Sequence, residues 1–146
     1  MILLTILFGS LLVFRLVGFA GVAAFSTWHE SLAFAFAVLF CFTGIAHFTR
    51  YRVDLEKMVP PWVPYSRAAV FVTGILEILG AIGLLTPSIR WFAGICLIAF
   101  LVAVFPANLH ASKTGVMLNN RPVEPPRLRG LIQFVLIVLL FWLIHS

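Results

Sequence analysis

Five polar side chains sit inside stretches of sequence that are otherwise apolar: Arg15, His47, Glu77, Asn108 and Gln133. Their types are those that hold a proton or hydrogen-bond a carbonyl. Glu77 is the sharpest of them, in the middle of Val70-Phe-Val-Thr-Gly-Ile-Leu-Glu-Ile-Leu-Gly-Ala-Ile-Gly-Leu-Leu85. A carboxylate at the centre of a bilayer span costs about 3 kcal/mol even on lenient insertion scales, so it faces protein or water, finds a partner, or stays protonated. Arg15 is the candidate counter-ion. Counted from one side of the membrane at 1.5 Å per residue, Arg15 lies about 20 Å deep and Glu77 about 15 Å. An arginine side chain spans that difference if the two helices touch, and Arg15 would then hold Glu77 ionised.

The other three polar residues fall at shallower levels on the same side. His47 lies near the inner end of the second apolar stretch, Asn108 at the inner end of the fourth, and Gln133 about 8 Å into the fifth. Together with Glu77 they describe a polar cleft opening toward one leaflet. In it His47, Asn108 and Gln133 would hydrogen-bond a lipid head group or a quinone carbonyl, with Glu77 as the deeper proton donor or acceptor. The competing expectation is plainer: Asn, Gln and His also glue membrane helices to one another without any ligand.

The elements that must position these residues are five apolar stretches, Ile2–Phe25, Ser31–Thr49, Arg67–Thr86, Trp91–Asn108 and Leu128–Ile144. Each has the length that about 30 Å of hydrocarbon requires of a helix. The chain is 62% hydrophobic, with a mean hydropathy of +1.11 over 146 residues. A soluble domain of this size cannot hide so much apolar surface. The fold expected is therefore all-α, a polytopic membrane helix bundle with five spans.

A formal charge of +5 would elsewhere suggest nucleic acid, but its distribution points to topology. Arg50, Arg52, Lys57, Arg67, Lys113, Arg121, Arg127 and Arg129 share one side of a five-span chain, and only Arg90 falls opposite. That asymmetry predicts a cytoplasmic N-terminus and an external C-terminus, with the basic loops contacting anionic inner-leaflet lipids and no nucleic acid. Trp28, Trp91 and Trp142 then mark the outer interface, and Tyr51, Trp62 and Tyr65 the inner one. The first stretch lacks a basic leader and carries Arg15 in its apolar centre, so it is expected to be a retained helix rather than a signal peptide.

Between the spans, Ser26–Glu30 and Pro87–Arg90 are short connections and join antiparallel neighbours. The loop after Arg50 mixes charge with apolar residues as an interfacial helical turn does. Pro60, Pro61 and Pro64 then impose an extended path. Asn119-Asn120 suits a tight turn between two short extended arms. Pro106 should kink the fourth span near Asn108. Gly74, Gly80 and Gly83 bracket Glu77 on roughly one face, while Gly44 shares a face with His47, and Gly18 with Gly21. Cys41 and Cys96 stand singly in separate helices and read as small buried hydrophobes. No cluster of His and Cys has metal-ligand spacing, and no Gly-rich loop follows a strand.

Gly44-Ile-Ala-His-Phe48, Met58-Val-Pro-Pro-Trp-Val-Pro64, Gly74-Ile-Leu-Glu-Ile-Leu-Gly80, Val104-Phe-Pro-Ala-Asn-Leu-His110 and Arg127-Leu-Arg-Gly-Leu-Ile-Gln133 occur in an order that resembles the DoxX family of small integral membrane proteins. The resemblance covers about residues 31–145. It divides the chain into an extra N-terminal transmembrane helix, residues 1–27, and a four-helix membrane domain, residues 28–146. It implies an association with membrane redox systems, among them thiosulfate:quinone oxidoreductase subunits, while other relatives act in assembling membrane proteins. The expectation is an auxiliary redox subunit in a bacterial-type inner membrane, binding a quinone-like or lipid molecule in the inner-leaflet cleft. The alternative is a structural or assembly partner of another membrane protein. A proton-coupled transporter fits poorly, because the five spans show no inverted repeat.

Overall fold

The structure, a computed structural model, describes residues 1–145. Five long helices carry the chain: α1 (Ile2–Phe19), α2 (Trp28–Ala46), α4 (Ser66–Leu85), α5 (Arg90–Thr114) and α6 (Pro126–His145). Each is long and apolar enough to cross a bilayer. A short helix, α3 (Arg52–Met58), lies in the loop between α2 and α4, and a minimal hairpin of β1 (Met117–Leu118) and β2 (Arg121–Pro122) lies between α5 and α6. In the hairpin Asn119 and Asn120 both take positive φ, 52° and 60°, the pair of left-handed residues that a two-residue type I′ turn requires.

Helix boundaries depart from the apolar stretches, and three of the departures have a clear local reason. The first stretch does not run to Phe25. α1 stops at Phe19, Gly21 turns the chain with φ 103°, and a 3-10 turn, Ala23–Phe25, folds back over the helix end. A β-carbon on Gly18 would run into the Phe25 carbonyl, so Gly18 admits that close return, and Gly21 lies outside the helix rather than on its face. α2 begins at Trp28 because the Thr27 hydroxyl accepts the Glu30 amide at 3.1 Å, an N-cap set before the apolar run. α5 continues through Pro106 to Thr114, ending at Gly115 in the left-handed region with φ 67°.

α2 packs most extensively on α4, α4 on α5, and α5 on α6, with a light contact from α6 back to α2. These four make the bundle, and α1 is laid against its outside along α2. Phe36, Leu39, Leu84, Leu97, Leu140 and Leu143 are buried between them. The loop contacts sort the ends. At one end the Met1 amino group meets Glu124, and the Asn119 amide donates to Asp54 at 3.2 Å. That end gathers the N-terminus, α3 and the hairpin. At the other end lie the 3-10 turn, Glu30 and Arg90.

Candidate functional site

Glu77 lies on the face of α4 that meets α2, and it is only 8% exposed. The two helices approach closely there because glycines stand on both sides. A β-carbon on Gly44 would sit 2.8 Å from Ile78 and 3.2 Å from the Glu77 β-carbon, and one on Gly74 would sit 2.6 Å from the His47 β-carbon. Gly80 and Gly83 instead face α5, against Leu97 and Ala93, so the glycines of α4 serve two neighbours rather than one face.

His47 caps the C-terminal end of α2, and its ring is wedged against α4. Nδ1 lies 2.7 Å from the Val70 carbonyl and 3.1 Å from the Thr73 hydroxyl. A carbonyl only accepts, so Nδ1 carries a hydrogen, shared between Val70 and the Thr73 oxygen. The Thr73 hydroxyl sends its own proton to the Ala69 carbonyl at 2.9 Å. This fixes the ring: Nε2 is bare when His47 is neutral and protonated when it is cationic. Nε2 lies 3.6 Å from Glu77 Oε2, a buried oxygen with no hydrogen bond. Two bare acceptors facing each other in a desolvated interface repel, so the pair is stable with one proton between them, on either the carboxyl or the ring.

Arg15 is not the counter-ion of Glu77. Its Nη1 donates to the Phe25 carbonyl at 2.8 Å, and its guanidinium carbon lies 4.4 Å from the Phe19 ring and 4.8 Å from the Trp28 ring. Both depth and azimuth separate them. Arg15 meets Phe25 and Trp28 at the start of α2, whereas Glu77 lies against Gly44 and His47 at its end, and α1 packs along α2 with no substantial contact with α4.

Nor do the four polar residues line one cleft. Asn108 and Gln133 meet each other at the α5–α6 contact, with Asn108 Nδ2 3.4 Å from Gln133 Oε1. Arg129 donates to Asn108 Oδ1 at 2.6 Å, and Gln133 Nε2 donates to the Leu101 carbonyl, one turn before Pro106. Among the described residues no hydrogen bond or ion pair links this set to His47 and Glu77.

A third polar group was not anticipated as a unit. Arg90 Nη1 and Nη2 hold both oxygens of Glu30 at 2.7 and 2.9 Å, and Arg90 Nε donates to the Leu84 carbonyl at 2.7 Å. His29 Nε2 donates to the Leu143 carbonyl at 2.6 Å, leaving Nδ1 to face Arg90 Nη1 at 3.4 Å. One network thus ties the ends of α2, α4, α5 and α6. Its signal in the sequence is that Glu30 and Arg90 both open helices on the same side of the membrane. Of the cysteines, Cys41 is partly buried, but Cys96 is exposed on the bundle surface rather than packed within it.

Taken together, five spanning helices with their polar groups turned into helix contacts define a multi-pass α-helical membrane protein. A family model described as a domain of unknown function (DUF8561) matches residues 36–144, well over half of the chain, and the chain belongs to that family. α1 and the first turns of α2 lie outside the matched segment. No curated protein and no solved structure matches the chain.

Proposed function

We propose that this chain is an auxiliary subunit of a membrane redox system, and that His47 and Glu77 exchange a proton with a quinone-like or lipid-like molecule reaching the α2–α4 contact. The observation that carries this is the buried Glu77 Oε2, which has no hydrogen bond although His47 Nε2 is 3.6 Å away. Asn108 and Gln133 have their hydrogen-bonding groups engaged with Arg129, Leu101 and each other. Glu77 and His47 retain capacity for a further donor or acceptor. A ligand hydroxyl or carbonyl would complete the shortfall, and the pair would take up or release one proton as the ligand is oxidised or reduced. The electrons would go to or come from the partner redox protein.

The likeness of five sequence segments to the DoxX family supports a redox role. The eight-to-one distribution of basic residues supports a bacterial-type inner membrane with the N-terminus cytoplasmic and the C-terminus outside. His47 would then serve the cytoplasmic leaflet.

A second function has its own support. Arg90, Asn108 and Gln133 are all spent on contacts within the chain, as in a bundle whose outer faces serve only to pack on another membrane protein. Purification of the intact protein in mild detergent, with mass spectrometry of what co-elutes, separates the two. A quinone retained by the wild-type protein and lost from Glu77→Gln supports the redox subunit. A stoichiometric membrane protein with no retained small molecule supports the assembly partner and rules against the first.

A further inference from the structure

Among the described residues, Arg15 is a buried cation with no anionic partner. It is 6% exposed, and its Nε is fully buried without a hydrogen-bond partner. The sequence holds five carboxylate side chains. Each is engaged elsewhere: Glu30 with Arg90, Asp54 with Lys57, Glu56 with Arg52, Glu77 with His47, and Glu124 with the Met1 amino group. What surrounds Arg15 is one carbonyl and two aromatic faces, which orient a guanidinium but do not neutralise it. A cation at the edge of a bilayer is stabilised by an anion, and the anions available at that level are phospholipid phosphates.

A place for the rest of such a lipid adjoins it. Leu11, Trp28, Leu32, Val138, Leu139 and Trp142 line an open apolar groove of about 530 Å³ among α1, α2 and α6. That volume lies in the range of about 300–1,000 Å³ typical of small-molecule sites. Leu11 is one helical turn before Arg15 and on the same face of α1. Trp28 both lines the groove and stacks against the guanidinium. The groove also separates α1 from α6, and α1 otherwise holds to the bundle through α2.

We infer that Arg15 and this groove form a binding site for one anionic phospholipid of the leaflet at the C-terminal end of α1. The phosphate pairs with the guanidinium, and an acyl chain fills the space between α1 and α6. The bound lipid completes the contact that fastens α1 to the bundle. This site lies at the opposite end of α2 from His47 and does not depend on the redox role.

The test is native mass spectrometry of the full chain released from nanodiscs of phosphatidylcholine containing a minor fraction of phosphatidylglycerol. The wild-type protein is expected to retain one phosphatidylglycerol in preference to phosphatidylcholine. Arg15→Gln, which keeps a donor for the Phe25 carbonyl, should lose that preference by about tenfold, as expected for one charge-assisted pair. Arg15→Lys should keep most of it. Leu139→Trp, which fills the groove and leaves Arg15 untouched, should lower retention of both lipids, and it decides the matter if Arg15→Gln does not fold. Equal retention of phosphatidylglycerol by the wild-type, Arg15→Gln and Leu139→Trp proteins would overturn the site, as would a wild-type protein with no preference between the lipids.

Discussion

His47 Nε2 stands 3.6 Å from Glu77 Oε2 while the other nitrogen of the same ring is held by the Val70 carbonyl at 2.7 Å. That second contact gives the first its meaning. With Nδ1 committed as a donor, the proton that keeps the pair from repelling has two homes, the carboxyl and Nε2. A helix end and a mid-helix residue are brought to this distance because Gly44 and Gly74 let α2 and α4 close.

Glu77→Gln should leave the bundle folded. The amide fills the volume of the carboxyl and donates to the bare Nε2, so the loss of stability in detergent should stay within about 1 kcal/mol. The check is the unfolding midpoint. A collapse of the fold would mean that the carboxylate charge itself holds the helices together.

Gly74→Ala should be costly. The added methyl would meet the His47 β-carbon at 2.6 Å and the Phe48 ring at 2.9 Å. Overpacking of this kind costs about 1–3 kcal/mol, and here it also pushes His47 from Val70. Thermal unfolding of the purified variant gives the energy.

The Arg90–Glu30 pair should behave as a coupled unit. Arg90 is almost wholly buried, whereas the Glu30 side chain is 35% exposed, so removing one partner should cost about 2 kcal/mol rather than the larger figure for a fully buried pair. Arg90→Met combined with Glu30→Leu should be less destabilised than the sum of the two single changes. A double-mutant cycle on unfolding free energies measures this coupling.

Acid should release the hairpin from α3. The Asp54 carboxylate accepts from Lys57 at 3.0 Å and from the Asn119 amide at 3.2 Å, and these bonds hold it below the usual aspartate range, Lys57 contributing most. A depressed folded value means that this docking is complete above the unfolded aspartate value of about 3.9 and is lost as pH falls through the folded one. Hydrogen exchange at the Asn119 amide should therefore accelerate in acid relative to its intrinsic rate. Asp54→Asn should weaken that pH response.

The spans were legible because their length and apolarity are the membrane's own requirement, and Asn119-Asn120 announced its turn through two residues that tolerate positive φ. The early end of α1 was not, since the return of the chain depends on how Phe25 seats over Gly18, a contact with no local sequence signal. Counting along an apolar stretch misjudges level where the helix stops early, as α1 does at Phe19, and it gives no neighbours at all. Arg15 therefore lies near a helix end with Phe19, Phe25 and Trp28 rather than beside Glu77, and the expected single cleft is two separate helix contacts. His47 and Glu77 were both visible as polar anomalies. Their pairing awaited the packing order, which sets α2 against α4.

The most direct test of the shared proton is solid-state nitrogen NMR of labelled His47 in lipid bilayers, recorded across pH for the wild-type and Glu77→Gln proteins. Nδ1 should be protonated throughout, and Nε2 alone should change with pH, with its response altered in Glu77→Gln. A neutral ring carrying its hydrogen on Nε2, or an Nε2 response indifferent to Glu77→Gln, would contradict the account.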